Sequence, residues 1–184
     1  MSIWEIIGII AAVLVVLFIV YFIVDANKNA KAEKEFLDNL KESHGFDIAY
    51  QITGTNAQKV KGILLDNSAQ KIALVKNNVI QMRPFNDLIS FEIITDVKTE
   101  TETKGTSQDG LFSNTAVHKG TTTTMTVTTS VKIKIIFDDL DNPSYELDLI
   151  KELYMSEKKA IDEASKINDY LSVIVHRNQQ KLAK

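Results

Sequence analysis

Hydrophobic and polar positions change period several times along this chain. From Ile6 to Val24 nineteen successive positions carry no charge, and fifteen of them are Leu, Ile, Val or Phe. As a helix this run is roughly 28 Å long, close to the ~30 Å hydrocarbon core of a bilayer. The fifteen residues favour insertion by roughly 4 to 9 kcal/mol at the helix centre. Trp4 and Tyr21 lie near its two ends, and Glu5 sits at the boundary, where a charge reaches headgroups. The pattern predicts a transmembrane anchor over residues 1–24. Residues 25–45 follow as a polar stretch with neither Pro nor Gly before Gly45, carrying one apolar strip of Phe36, Leu37 and Leu40. This reads as a helical juxtamembrane stalk that runs to about Ser43 and rests its strip on a folded domain. Three apolar residues are too few for a coiled coil.

From Phe46 the period shortens to two. Val60 to Leu65 and Lys71 to Val75 flank the turn-like Asp66-Asn67-Ser68-Ala69-Gln70, and Val79 to Met82 is closed by Pro84. Ile89, Phe91 and Ile93 alternate with polar residues, as do Val131, Ile133, Ile135 and Phe137, and then Tyr145, Leu147 and Leu149. Each is the signature of a half-buried strand. Phe46 to Ile52 is a further candidate strand. After Ser156, a suitable helix N-cap, the period becomes helical. Ala160, Ile161, Ala164, Ile167, Leu171, Ile174 and Val175 form one apolar face. Residues 179–184 are a polar tail. Six or seven antiparallel strands followed by a long amphipathic helix predict an α+β domain.

Between the strands lies a threonine-rich stretch, residues 98–130, punctuated by Gly105, Gly110 and Gly120. Threonine suits strands but builds no core. The stretch is expected to be a long exposed loop with extended, polar hairpin arms, its tip made apolar by Leu111, Phe112 and Val117. Those three are the candidate interaction loop, since long loops in compact domains are often functional. Pairing of these arms with a neighbouring subunit, and hence a homo-oligomer, is a further option.

Charge adds topology. The N-terminal flank of the apolar segment has no Lys or Arg, whereas Lys28, Lys31 and Lys34 follow it closely. Basic flanks stay inside, so the expectation is a single-pass protein of the cell membrane with its N-terminus outside and its domain cytoplasmic. Ala30-Lys31-Ala32 matches a cleavage pattern formally. However, the missing basic n-region, the length of the apolar run and the distance to that site all favour a retained anchor. The three lysines also reach anionic headgroups, each contributing about 1 kcal/mol. A net charge of −3 gives no argument for nucleic-acid binding. There are no cysteines, which removes disulfides, thiolate metal sites and cysteine nucleophiles.

No catalytic constellation is found. His44, His118 and His176 lack metal-ligand spacing, and Asp138, Asp139 and Asp141 lack the glycine and distal Glu of a calcium loop. Phosphate-loop, nucleophile-elbow, zincin and dinucleotide motifs are missing from the sequence. The expectation is therefore a non-enzymatic chain with no cofactor and no metal site.

The segment Lys61-Gly62-Ile63-Leu64-Leu65-Asp66, then Lys71-Ile72-Ala73-Leu74-Val75, then the phrase Pro84-Phe85-Asn86-Asp87-Leu88-Ile89-Ser90-Phe91-Glu92-Ile93, and helix 156–178, together resemble a bacterial pleckstrin-homology-like (PH-like) domain. The resemblance covers residues 46–178. It implies an antiparallel β-sandwich or barrel of about seven strands capped by the C-terminal helix. It also implies a module that binds a protein partner or a lipid bilayer. Recruitment of a protein, or assembly of a membrane complex, is the leading expectation. Sensing of anionic lipid at the inner membrane face, through the lysines of strand 131–137 and of the stalk, is the alternative.

Overall fold

The computed structural model describes residues 2–106 and 119–182, with side chains over 2–99 and 124–181. The apolar segment and the stalk are one unbroken helix, α1 (Ile3–His44). Ser2 caps it: its hydroxyl accepts the Glu5 N–H at 3.3 Å, and the Glu5 carboxylate accepts the Ser2 N–H at 2.7 Å. This reciprocal pair satisfies first-turn donors. Gly45 ends the helix in the left-handed conformation at φ 58°, which a Cβ disfavours. The apolar window of α1 is wholly unburied, and by length and composition it is able to cross a membrane.

The strands β1 (Tyr50–Asn56), β2 (Lys59–Asp66), β3 (Lys71–Lys76) and β4 (Val79–Pro84) form one antiparallel sheet in sequence order. After a single 3₁₀ turn, β5 (Leu88–Thr106), β6 (Lys119–Phe137) and β7 (Ser144–Asp148) form a second antiparallel sheet, and α2 (Glu157–Leu182) completes an α+β fold. The principal core joins all three parts. Ile52, Ile63, Leu65, Ile72 and Leu74 come from the first sheet, and Val131, Ile133, Ile135, Phe137 and Leu147 from the second. Ala160, Ala164, Ile167, Leu171 and Ile174 come from α2. Tyr145 ties the sheets together, its hydroxyl donating to Val75 O at 2.9 Å and to Gly62 O at 3.2 Å. Gly62 stands where the chain passes close to β1: a Cβ there would meet Ile52 O at 2.2 Å.

β2 and β3 read as unbroken apolar runs because both of their faces are covered. Alternation sends Val60, Leu64, Ala73 and Val75 to the side away from the principal core. There they form a second core with Leu40 and Phe46, packed by Phe36, Leu37 and Ile48. The stalk strip therefore lies on the outer face of the first sheet. This also corrects one expected strand: β1 begins at Tyr50, and Phe46 and Ile48 serve the second core instead of a ladder.

The described parts of the threonine-rich stretch are strands. β5 and β6 pair in antiparallel register from Leu88↔Phe137 out to Thr106↔Lys119. The register breaks twice: between Leu88 and Ser90, where Ile89 is the extra residue, and where Asp96 faces Ser130 and Val97 faces Thr128, so that Thr129 is the extra residue of a bulge. Its hydroxyl donates to Asp96 O at 3.2 Å. Inside the bulge β7 pairs with β6 over Lys132–Ile136. Outside it, residues 97–106 and 119–128 continue as a ribbon of two strands, roughly 33 Å long at about 3.3 Å per residue. Val97, Met125 and Val127 are exposed on it. Leu111, Phe112, Val117 and His118 lie outside the described residues.

Candidate interaction surface

The stalk meets the sheet through more than its apolar strip. Asp25, Asn29, Ala32, Glu33, Phe36 and Leu37 are half-buried and Leu40 is buried, which is one helix face beginning directly after Val24. The Asn29 side-chain oxygen accepts the Gln58 N–H at 3.0 Å, and the Glu33 carboxylate accepts the hydroxyls of Thr53 and Thr55. Ala57 and Gln58, the β1–β2 turn, both hold positive φ, 47° and 60°. A two-residue turn of this kind usually takes Asn or Gly. Here Asn29 of the stalk and Asn78 of the β3–β4 turn hold it, the latter donating to Gln58 O at 3.2 Å.

Lys28, Lys31 and Lys34 are exposed, and at about 100° per residue they fall on the opposite side of α1 from the docked face. Lys31 pairs with Glu35 at 3.6 Å. The lysines of β6 are less available to a bilayer than their sequence pattern indicates. Lys132 lies 3.2 Å from Asp96 and Lys134 lies 3.4 Å from Glu146. The acidic cluster is a structured turn. Asp139 accepts the Asp141 N–H at 2.9 Å and pairs with Arg83. The Asp141 N–H first, and then further hydrogen bonds and the Arg83 charge, hold its carboxyl below the usual range. Among the described residues no group of three or more His, Asp or Glu is placed to hold a metal ion.

Two of the concavities beside α2 adjoin a sheet or its turns. One lies between the helix and the second sheet. Ile93 and Thr95 of β5, Val131 of β6, and Ile161, Ala164, Ser165 and Asn168 of α2 line a groove of about 270 Å³. β5 is the outer strand of its sheet, so its backbone edge runs beside this groove. Ile161, expected on the buried face of the helix, is 46% exposed at the groove margin. The other concavity, about 540 Å³, lies against the β2–β3 turn and is lined by Asn67, Gln70, Asp169, Tyr170, Val173, Ile174 and Arg177. Its wall is stiff. Tyr170 stacks on Tyr50 at 4.6 Å, and the Tyr50 hydroxyl donates to the Glu163 carboxylate at 2.9 Å. Burial, then this hydrogen bond, pushes the Tyr50 phenol above the ordinary tyrosine range.

The groove residues carry no motif. Ser165 and Asn168 read in the sequence as the polar side of an amphipathic helix, and Thr95 as a polar residue in phase with Phe91 and Ile93 at the end of an alternating strand. Only the crossing of α2 over β5 brings them together. No family model matches this chain, and neither the curated proteins nor the solved structures gave a match.

Proposed function

We propose that this chain is a non-enzymatic, single-pass membrane protein that presents a PH-like domain on the cytoplasmic side and recruits a protein partner by strand addition. The observation that carries this reading is the outer edge of β5 running beside the Ile93–Thr95–Ile161–Ser165 groove. An open strand edge offers backbone hydrogen bonds to an extended peptide, and a groove alongside selects its alternate side chains. The lining is apolar at Ile93, Val131, Ile161 and Ala164 and polar at Thr95, Ser165 and Asn168. That suits a small apolar side chain flanked by polar ones. A helix long and apolar enough to span a bilayer supports capture at a membrane surface.

The test uses the full chain in lipid nanodiscs against a displayed library of extended peptides. Enriched peptides should alternate small apolar and polar residues. Ser165→Trp fills the groove from an exposed helix position and should weaken their binding about tenfold or more, a loss of about 1.4 kcal/mol. An unenriched library, or binding unchanged by Ser165→Trp, overturns the reading.

A further inference from the structure

We infer that the cleft between α2 and the β2–β3 turn binds a short free peptide, a di- or tripeptide with an apolar side chain, whose ammonium and carboxylate termini meet Asp169 and Arg177. The inference goes beyond the function proposed above and does not rest on it. Neither the β5 edge nor the groove beside it takes part.

The cleft has the size and make-up of a ligand site. Its volume, about 540 Å³, falls within the range of about 300–1,000 Å³ of small-molecule pockets, which join apolar walls to a few orienting polar groups. Val173 is 50% exposed and stands four residues from Asp169 on one side and from Arg177 on the other, so the three share one stripe of α2. Tyr170 extends the apolar wall, its ring held by the stack on Tyr50. The β2–β3 turn forms the opposite wall through Asn67 and Gln70. Both walls are fastened to one segment. The Asn178 side chain donates to Phe85 O at 2.6 Å and to Leu88 O at 3.0 Å, and the Phe85 N–H donates to Gln70 O at 2.8 Å. A cleft braced in this way is already shaped before a ligand enters, which lowers the cost of binding.

Its charges lack partners. Elsewhere on α2, Lys166 pairs with Glu163 at 2.9 Å and Lys181 donates to the Asn86 side chain at 2.9 Å. Asp169, Arg177 and the side-chain amide of Asn67 make no hydrogen bond or ion pair with any described residue. Asp169 and Arg177 are eight residues apart, about 12 Å of helix rise, too far to pair with each other. An anion and a cation at the two ends of an apolar strip fit a ligand that carries the opposite charges at that spacing. A simple carboxylic acid leaves Asp169 against its apolar end, and a simple amine does the same to Arg177. A free amino acid is too short, because both of its charges sit on one carbon. Two or three extended residues span about 7–11 Å, and a charge-assisted hydrogen bond of about 2.7–2.9 Å at each end closes the remainder. Six residues reach about 20 Å and overshoot. The guanidinium takes a carboxylate through two parallel hydrogen bonds. Asn67, which both donates and accepts, suits the peptide group between the termini, and Val173 suits the apolar side chain.

Equilibrium dialysis of labelled Ala-Val-Ala and Ala-Phe-Ala against the full chain in lipid nanodiscs tests the site. Binding should saturate, and hexapeptides of the same composition should bind at least tenfold more weakly. Amidating the carboxylate or acetylating the amine should each weaken a tripeptide about tenfold. Arg177→Gln should weaken the free tripeptide about tenfold and leave its amide bound as by the parent chain. Asp169→Asn should do the same for the acetylated form. Both positions are exposed, and an unchanged Tm checks that the variants fold. No saturable tripeptide binding, equal binding of free and blocked peptides, or variants that weaken free and blocked forms in parallel overturns the inference. Ser165→Trp, which fills the other groove, should leave tripeptide binding unchanged, so this site and the strand-addition groove fail separately.

Discussion

Tyr145 shows how one residue fixes the relation between the sheets. It sits on β7, and its hydroxyl reaches two carbonyls of the first sheet. Burial holds this phenol well above the ordinary tyrosine range. The sign of the linkage follows. An unfolded tyrosine ionises near pH 10, while the folded residue keeps its proton. The stabilisation is therefore complete below about pH 10 and is lost as pH rises toward the folded pKa. Tyr145→Phe should cost about 1 kcal/mol at neutral pH through the lost hydrogen bonds. It should also narrow the fall in Tm between about pH 9 and about pH 11, because one ionisation coupled to unfolding is removed. Thermal unfolding of the full chain in micelles, followed by circular dichroism, measures both. An unchanged Tm at neutral pH would mean that the hydroxyl does not join the sheets. The remaining buried polar groups are satisfied locally: Asp66 accepts the N–H groups of Asp47 and Ala69, and Asp148 accepts those of Ile150 and Lys151 and the Ser130 hydroxyl.

At the scale of elements, the sequence discloses whatever periodicity encodes. The apolar block of α1, the alternation in β5 to β7 and the stripe of α2 are all readable, because each buries one face or none. Three features escape it. The stalk docks through Asn29 and Glu33 as well as Leu40, and polar contacts on a helix look the same as solvation until a sheet stands against them. The β1–β2 turn at Ala57-Gln58 lacks the Asn-Gly signal, since its support comes from residues 29 and 78. The ribbon over residues 97–106 and 119–128 carries threonine on both strands, so no apolar alternation announces its register. The docked stalk makes a prediction of its own. Leu40 is 1% exposed against Val60, Leu64 and Val75, so Leu40→Ala should cost about 2–4 kcal/mol. A fragment beginning at Phe46 should melt well below one beginning at Asp25, and should bind a hydrophobic dye through the uncovered sheet. Equal melting of the two fragments would show that the stalk does not complete the domain.

At the scale of the whole molecule, the continuity of α1 turns a tether into a mount. Its apolar run ends at Val24, its docked face begins at Asp25, and Asn29 already grips the β1–β2 turn. Five residues of helix rise only about 7.5 Å, while the headgroup layer on each side of a bilayer is roughly 5–7 Å thick. If α1 spans the bilayer as proposed, that turn rests at the lipid surface and the domain has no freedom to swing away. The base of the ribbon belongs to the same end of the domain. Asn56 donates to the Tyr154 hydroxyl at 2.8 Å, and just beyond Tyr154 the Glu157 carboxylate takes the Thr128 hydroxyl. The mount is testable without reference to any partner. A fluorophore on Ala57→Cys should be quenched by lipids carrying a quencher near the headgroup, whereas one on Asn67→Cys, in the turn at the opposite end of β2, should not. Equal quenching at the two sites, or quenching at residue 67 alone, would show that the domain does not stand on the bilayer by its β1–β2 turn.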